Sequence, residues 1–320
     1  MRLLRAGLVG LGVMGQHHMR LLNQLEGVKF VGVYDSDLSK QETTVGRPVF
    51  SSFDNLLCQN LDYCVVAAPT SHHLEIGLGL AAAGVHALIE KPVAQTYGEA
   101  IQLVNAFSAA QLIGGVGHIE RFNPALRAMR QKIEEGLLGE IYQISTRRQG
   151  PFPTRISDVG VVKDLATHDF DLAAWVAQSP YKSILSKTTH KSGRSHEDMV
   201  VAIGQLENGV IVNHVVNWLS PFKERNTTVI GDKGALVANT LTADLTFYEN
   251  ANFQSNWDSI STFRGVSEGD IPRFALNKIE PLLAEHLAFR DAIINNDDRG
   301  VVTLAEGLAA VKIADQILQQ

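Results

Sequence analysis

The amino-acid sequence predicts a two-domain α/β protein, in which a domain with a parallel sheet precedes an α/β domain with a large, mostly antiparallel open sheet. Over residues 1–119, short apolar runs alternate with helix-compatible segments, as in a βα series. Over residues 120–320, alternating runs are joined by glycine-containing turns. The 320 residues are 45% hydrophobic, which is enough for two cores. We expect domains at 1–119 and 120–320, with the C-terminal helix able to pack back on the first.

The first strand leads into a glycine-rich turn. Leu3 to Val9 is a short apolar run, a turn from Gly10 to Gly15 follows it, and Gln16 to Leu25 is helix-compatible. In this context the first glycine permits a tight turn, the second lets the backbone reach a pyrophosphate, and the third lets the helix approach the strand. The pattern predicts a Rossmann domain whose dinucleotide contacts are Gly10, Gly12, Val13, Met14 and Gly15.

The second strand ends in an acidic residue that bears on the choice of cofactor. Val28 to Tyr34 is apolar, and Asp35 follows it 20 residues after Gly15. A carboxylate there accepts hydrogen bonds from a ribose 2′-hydroxyl but repels a 2′-phosphate. Because Ser36 and Asp37 come next rather than an arginine, we expect NAD rather than NADP, with Asp35 and Ser36 at the ribose. The alternative is that Asp35 merely begins a turn.

Three further strands complete the predicted parallel sheet. They are Leu61 to Ala68, His86 to Ile89 and Ile113 to Ile119, separated by helices at Leu74 to Ala83 and from the Thr96, Glu99 capping box to about Ala110. Ligands of open α/β sheets bind beyond the carboxyl ends of the strands. We therefore expect further cofactor or substrate contacts from residues at these ends, namely Ala68, Pro69, Thr70, His73, Glu90, Lys91 and His118.

The second half has a different pattern. Asn123 to Glu135 is a predicted helix, and the runs Met199 to Leu206 and Gly209 to Trp218 are joined at Glu207-Asn208-Gly209, which predicts a hairpin. Further short strands and two closing helices are expected at Thr227 to Ile230, Ala235 to Ala238, Leu245 to Tyr248, Glu280 to Ile294 and Thr303 to Gln319. An exposed face of this sheet could pair subunits into a homodimer or homotetramer.

Composition excludes several classes of partner. The formal net charge of −6 and the absence of a long basic run give no general attraction for nucleic acid or acidic membranes. Cys58 and Cys64 are too few for a disulfide framework. The N-terminus resembles a secretory signal, but its removal would delete the glycine turn, and no apolar run approaches the roughly 20 residues that span a bilayer. We expect a small-molecule substrate, a cytoplasmic location and no membrane partner.

The chemistry of alcohol oxidation points to a few side chains. A hydride must leave carbon for the nicotinamide and a proton must leave oxygen, which requires a base or a cation at the hydroxyl, and Lys91 and His168 are candidates. Asp164 is four residues before His168, so on a helix the two share a face. The alternatives are a solvated lysine, a helix N-cap and a surface histidine. Although there are 11 histidines, no ligand pattern indicates a metal site.

Four of these segments together resemble one known family. The glycine turn, Pro69 to His73, Glu90-Lys91-Pro92 and Asp164 to Asp169 resemble the Gfo/Idh/MocA family of oxidoreductases. The resemblance implies a Rossmann domain followed by an open-sheet domain, oxidation of a sugar or cyclitol hydroxyl with a nicotinamide cofactor, and catalytic positions at Lys91, Asp164 and His168.

A narrower resemblance concerns the substrate. The segments Gly117 to Pro124, Arg148 to Pro153 and Asp158 to Val162 are similar to the UDP-N-acetylglucosamine 3-dehydrogenase branch of that family. Arginines near them, including Arg155, could clamp a diphosphate by paired hydrogen bonds. The expected substrate contacts are Lys91, His118, Arg121, Asn123, Arg148, Asp164 and His168.

These observations predict an NAD-dependent oxidoreductase of a secondary sugar hydroxyl, with C3 of UDP-N-acetylglucosamine or a derivative as the preferred substrate. The alternatives are a free sugar or inositol dehydrogenase, an NAD-dependent glycosidase, or a non-catalytic dinucleotide-sensing regulator. A pure sensor needs no proton-transfer groups, so Lys91 and the Asp164, His168 pair argue against it.

Overall fold

The chain folds into two compact units. The structure, a computed structural model, describes residues 2–37, 39–40, 46–153, 159–250 and 269–320, so Arg155 and Asp158 lie outside the described residues. The first unit comprises Met1–Ile119 and Glu280–Asp315, and the second comprises Glu120–Ile279 and Gln316–Gln320. The predicted second domain, 120–320, ran to the C-terminus, whereas the contacts assign 280–315 to the first unit.

The first unit is built on a six-stranded sheet. Its strands, in the order β3-β2-β1-β4-β5-β6, pair in parallel throughout. The strands are β1 (Leu4–Val9), β2 (Val28–Tyr34), β3 (Val49–Phe50), β4 (Tyr63–Val66), β5 (His86–Glu90) and β6 (Gly114–Gly117). The central strand β4 is buried at every position, as expected for a parallel sheet covered on both faces. The predicted parallel sheet is confirmed.

Eight α-helices are described along the chain. They are α1 (Val13–Leu22), α2 (Phe53–Leu57), α3 (His73–Ala82), α4 (Tyr97–Ala109), α5 (Pro124–Glu134), α6 (Thr167–Ala177), α7 (Pro281–Asn295) and α8 (Leu304–Leu318). In the first unit, Phe289 and Ala292 of α7 join a buried cluster with Leu8, Leu88 and Tyr63 of the sheet. This packing explains why a C-terminal helix belongs to the N-terminal unit.

The predicted helix starts are largely as expected. At α8, the Thr303 hydroxyl accepts from the Glu306 amide at 3.3 Å while the Glu306 carboxylate accepts from the Thr303 amide at 2.8 Å, which is a complete capping box. At α4, the Thr96 hydroxyl accepts from the Glu99 amide at 3.2 Å, but the Glu99 carboxylate accepts from the Gln95 amide instead of from that of Thr96. These caps satisfy amides that helix geometry leaves without partners.

The second unit contains a seven-stranded sheet in the order β13-β12-β11-β7-β10-β9-β8. Its strands are β7 (Ile141–Pro151), β8 (Tyr181–Thr189), β9 (Met199–Leu206), β10 (Ile211–Asn217), β11 (Leu219–Gly231), β12 (Gly234–Asn239) and β13 (Asp244–Glu249). All pairs are antiparallel except β7 with β10, and β9 and β10 form the predicted hairpin. The mostly antiparallel sheet is confirmed.

One face of this second sheet is covered and the other is open. Leu126 and Met129 of α5 and Leu172 of α6 form a buried cluster with alternate sheet residues such as Ile144 and Val212. The intervening positions on several strands carry exposed apolar side chains, including Leu185, Val201, Ile203, Ile211 and Ile230. These positions give the open face an apolar character.

Candidate active site

Each glycine of the turn after β1 has a distinct structural environment. Gly10 has φ of +97°, and a Cβ there would lie 2.5 Å from the Ala67 carbonyl oxygen. A Cβ on Gly15 would lie 2.0 Å from the Gly10 carbonyl oxygen. By contrast, a Cβ on Gly12 would have no atom of the described residues within 4 Å. The fold itself therefore requires glycine at 10 and 15, whereas Gly12 leaves an open surface that a ligand can approach.

The start of α1 is suited to an anion. Gly12 is its N-cap, no side chain caps the helix, and no acidic residue occupies its first turn. The first amides of a helix point outward without intrahelical partners and carry the positive end of the helix dipole. Val13 is 55% exposed beside them. This open, amide-rich surface fits the pyrophosphate of a dinucleotide.

Asp35 is buried at the end of β2 and contacts the glycine turn. Its Oδ2 accepts a hydrogen bond from the Leu11 amide at 2.6 Å, and its Oδ1 accepts from the Asp37 amide at 2.8 Å. The turn interaction considered from the sequence is therefore present, but the carboxylate also fixes the loop beside it. The Lys40 ammonium lies 3.4 Å from Oδ2, a neighbour the sequence did not indicate. Ser36 is exposed next to this carboxylate.

His73 is one predicted cofactor contact that the structure places elsewhere. Its side chain is fully buried, with Nδ1 3.0 Å from the Pro92 carbonyl and Nε2 2.9 Å from the Ala68 carbonyl. Burial lowers its pKa. Because both ring nitrogens face protein carbonyls, His73 joins the loops that follow β4 and β5 and does not present its side chain to a cofactor. Pro69 is exposed in the first of these loops, with Thr70 partly exposed after it.

Glu90 and Lys91 lie at the carboxyl end of β5. Burial alone would raise the pKa of Glu90, but the hydrogen bond with His18, at 2.9 Å, and the nearby Lys91 charge hold that pKa below its ordinary value. Glu90 Oε2 also accepts from the Lys91 amide at 3.2 Å. Lys91 itself is partly exposed, and a cis peptide bond joins it to Pro92. His118 follows β6 and is buried.

In the second unit, Asp164 and His168 lie on one continuous helical segment. Asp164 is in a π-helical turn, Val162–Ala166, and His168 is in the first turn of α6. The Glu197 carboxylate accepts from the Val162 amide at 2.9 Å and supports the start of this turn. Both predicted residues are buried. π-Helical turns occur frequently at functional sites, and the sequence pattern alone did not predict this one.

Three side chains predicted to contact the substrate have hydrogen-bond partners inside the second unit. The Arg121 guanidinium forms paired hydrogen bonds with Asp171 at 2.7 and 2.5 Å. Arg148 binds Asp169 at 2.9 Å and Glu120 at 2.8 Å. Asn123 caps α5, its side chain accepting from the Ala125 amide and donating to the Thr240 carbonyl.

All three side chains are buried, so the structure gives each a role in holding the fold, and their contact with a substrate stays a prediction. An arginine already paired with carboxylates inside the protein has fewer donors left to clamp a diphosphate. The Arg148 charge also acts on its partners. Burial would raise the pKa of Glu120, but Arg148 holds it below its ordinary value, whereas burial dominates at Asp169 and raises its pKa.

Neither a metal-ligand cluster nor a membrane-spanning helix is present in the described ranges, 2–37, 39–40, 46–153, 159–250 and 269–320. They contain no group of three or more histidine, cysteine, aspartate or glutamate side chains placed to hold a metal ion. Their helices include none that is both long and apolar enough to cross a membrane.

Two family models match the chain. Residues 4–118 match the model described as "Oxidoreductase family, NAD-binding Rossmann fold", and residues 126–237 match the GFO/IDH/MocA C-terminal domain. Together they cover more than two thirds of the chain. The chain belongs to the Gfo/Idh/MocA oxidoreductase family. Its first unit is an NAD-binding Rossmann domain, so the predicted fold class, family and cofactor are confirmed.

Curated relatives in this family act on different substrates. UDP-N-acetylglucosamine 3-dehydrogenase of Acidithiobacillus ferrooxidans is 29% identical over 217 residues, covering 66% of this chain and 66% of that protein. Inositol 2-dehydrogenase 2 of Saccharopolyspora erythraea is 27% identical over 222 residues, covering 65% and 64%. The chain thus spans slightly less than two thirds of the length of these relatives.

Solved structures share the fold over nearly the whole chain. That of the Acidithiobacillus ferrooxidans enzyme GnnA superposes with a TM-score of 0.87 at 24% identity, covering 99% of this chain and 97% of that one. The WlbA dehydrogenase from Bordetella pertussis, in complex with NADH and UDP-GlcNAcA, gives a TM-score of 0.82 at 22% identity, covering 99% and 95%. At these identities the likeness shows the fold alone.

Proposed function

We propose that the protein is an NAD-dependent dehydrogenase that oxidises the C3 hydroxyl of UDP-N-acetylglucosamine or a close derivative. The observation that carries the proposal is the first unit's combination of an open, amide-rich phosphate surface at Gly12 with a lysine at the carboxyl end of β5. A dinucleotide sensor needs the first feature but has no use for the second.

The residues of the first unit fit an NAD molecule. The turn from Gly10 to Gly15 and the start of α1 would hold the pyrophosphate, and Asp35 would accept from the adenosine ribose hydroxyls. The loops after β4 and β5, which His73 joins, would line the path toward the nicotinamide. When bound, NAD supplies the acceptor for the hydride that leaves the sugar carbon.

Lys91 supplies the proton chemistry in this proposal. As an ammonium it donates a hydrogen bond to the oxygen on which negative charge develops, and as an amine it accepts the hydroxyl proton. Glu90 fixes the Lys91 main chain through its amide. From the second unit, we assign His168 as a second proton-transfer group and Asp164 as the carboxylate that orients it or binds a substrate hydroxyl.

The choice of substrate rests on the relatives. The 3-dehydrogenase from Acidithiobacillus ferrooxidans is named for UDP-N-acetylglucosamine, and the WlbA structure contains UDP-GlcNAcA. A second candidate function, inositol dehydrogenase, is favoured by the 27% identity to inositol 2-dehydrogenase 2. Since Arg121 and Arg148 are hydrogen-bonded to interior carboxylates, a diphosphate would need further donors. The two candidates therefore have to be separated by experiment.

A substrate panel separates these functions. Purified protein is mixed with NAD and, in separate reactions, UDP-N-acetylglucosamine, its uronate, free N-acetylglucosamine and myo-inositol, and NADH absorbance is followed. We expect NADH only with the UDP-sugars. Turnover confined to inositol would replace the proposed substrate with the second candidate. No turnover across the panel, with unimpaired NADH binding, would contradict the dehydrogenase proposal.

The role of Lys91 has a matched test. We expect Lys91→Ala to reduce kcat by at least about 100-fold, the usual minimum for loss of a proton-transfer group, while NADH still binds. Lys29→Ala is the control, because this lysine is exposed on β2 and lies outside the proposed site. Full turnover in Lys91→Ala would remove this residue from the mechanism.

We also propose that the protein forms a homodimer or homotetramer through the open face of the second sheet, and that it acts in the cytoplasm. The exposed apolar side chains at Leu185, Val201, Ile203, Ile211 and Ile230 support self-association. Ile203→Lys together with Ile211→Lys should shift the mass measured by light scattering toward the monomer. An unchanged mass would exclude this face.

A further inference from the structure

A row of three buried side chains lies beneath the end of β5. Glu90 Oε1 is 2.9 Å from Nε2 of His18 on α1, and Nδ1 of His18 is 2.8 Å from Nε2 of His286 on α7. Their exposed fractions are 8%, 0% and 1%, respectively. The two imidazole rings meet edge to face, with centroids 5.0 Å apart. The row joins three elements of the first unit and ends next to Lys91.

The charge of Glu90 decides which atom donates in the first contact of this row. An ionised Glu90 can only accept, so Nε2 of His18 donates to it. The contact between Nδ1 of His18 and Nε2 of His286 then holds one proton, which lies on His286 when His18 is neutral and on His18 when His18 is protonated. Burial lowers the pKa of His286, which favours its neutral ring. In both cases His286 fixes the orientation of the His18 ring, and His18 donates to Glu90 and holds it as a carboxylate.

Several other titratable groups surround Glu90 and bear on whether it is ionised. Lys91 approaches from the same strand end, His73 from α3 and Glu285 from α7. Glu285 is 1% exposed, and neither of its carboxylate oxygens has a hydrogen-bond partner among the described residues. Burial together with the Glu90 charge raises its pKa, which favours its protonated form. On β6, a Cβ at Gly117 would lie 3.1 Å from Glu90 Oε1, so glycine leaves room for the carboxylate. Without His18, burial would favour the protonated form of Glu90 too.

We propose that His18 and His286 are positioning residues that keep Glu90 ionised and fixed against the main chain of Lys91, and thereby hold Lys91 in place for catalysis. This inference rests on the proposed function, because it assigns Lys91 to proton transfer. Glu90 connects the two, since one of its oxygens contacts His18 and the other accepts from the Lys91 amide at 3.2 Å.

The test is the pH profile of kcat/KM below the limb set by the proton-transfer groups, where protonation of Glu90 forms a second acid limb. In His18→Phe the donor to Glu90 is lost, and we expect this second limb to move to higher pH by about one to two units, the equivalent of one hydrogen bond to a charged group. His18→Gln keeps an amide donor and should restore most of the shift. In Glu90→Gln this second limb should disappear, while the limb set by the proton-transfer groups stays. His17→Gln is the matched control, since His17 is the exposed neighbour on α1.

A second acid limb that stays at the wild-type pH in His18→Phe would overturn the proposal, even if the melting temperature or turnover falls, because those effects need only a structural role. If His18→Phe does not fold, the same pH profile is measured for His286→Phe, where we expect the Glu90 limb to move to higher pH. If the wild type shows no turnover, the proposed function fails separately. The pH dependence of NADH binding, followed by fluorescence in the same variants, then decides whether the row controls Glu90.

Discussion

The glycine turn allows loss of cofactor binding to be separated from loss of fold. At Gly12 the backbone angles are φ −64° and ψ −171°, which alanine can adopt, and its Cβ would meet nothing within 4 Å in the part of the chain that the structure describes. Gly12→Ala should therefore change the free energy of unfolding by no more than about 1 kcal/mol, the cost of a poorer N-cap. The new methyl would stand where a pyrophosphate approaches. We expect the NADH dissociation constant to rise about 10- to 100-fold, or roughly 1.4–2.8 kcal/mol.

Gly15→Ala is the matched variant with the opposite expectation. Its Cβ would lie 2.0 Å from the Gly10 carbonyl oxygen, whereas real Cβ contacts stay beyond 3.0 Å, so α1 or the turn must move. Overpacking of this kind costs about 3 kcal/mol, which should lower the melting temperature of this unit by about 6–12 °C. Fluorescence titration with NADH and thermal melts measure both variants. Wild-type NADH affinity in Gly12→Ala, or a wild-type melting temperature in Gly15→Ala, would refute the reasoning.

Three further predictions concern cofactor choice, pH and Arg121. Asp35→Ser removes the carboxylate that repels a 2′-phosphate, so the ratio of the NADPH to the NADH dissociation constant should fall at least about tenfold; an unchanged ratio would contradict the assigned role. Burial lowers the pKa of His214 to about 3. The unfolded chain therefore binds one more proton than the folded one between pH ~6.5 and about 3, so stability is lost as pH falls through that window. His214→Gln should flatten the slope of the unfolding free energy against pH, measured with urea, by up to ~1.4 kcal/mol per pH unit. An unaltered slope would show that His214 is not the group responsible. Arg121→Ala should lower the free energy of unfolding by about 3–5 kcal/mol, because the buried Asp171 loses its arginine, and adding Asp171→Ala should recover part of that loss. Wild-type stability together with a raised KM would instead indicate that Arg121 binds substrate.

The fold was predictable because its signals are local. A glycine turn between an apolar run and a helix has few structural solutions, and a hairpin such as Met199–Leu206 with Ile211–Asn217 follows from alternation and one turn. The assignment of α7 to the first unit was not local, because Phe289 packs beside Leu8, which is far away in the sequence.

The candidate site was predictable only in part. The sequence pattern placed Glu90 and Lys91 at the carboxyl end of a strand, where the structure has them, but it could not show whether a polar side chain is already paired. Arg121 is hydrogen-bonded to Asp171, 50 residues further along the chain, and His18 to His286, 268 residues further along. Partners at such separations leave no pattern in one sequence. For the same reason the sequence did not single out His18, which the structure connects to Glu90.

The most direct test of the central claim uses UDP-N-acetylglucosamine carrying deuterium at C3. The protein is incubated with NAD and this substrate for one turnover, and the cofactor is recovered and examined by mass spectrometry, so that tightly bound cofactor is included. We predict deuterium in the reduced nicotinamide and a 3-keto sugar as the product. Reduced cofactor without deuterium would place hydride transfer at another carbon. No reduced cofactor, despite demonstrated binding of both molecules, would contradict the dehydrogenase proposal itself.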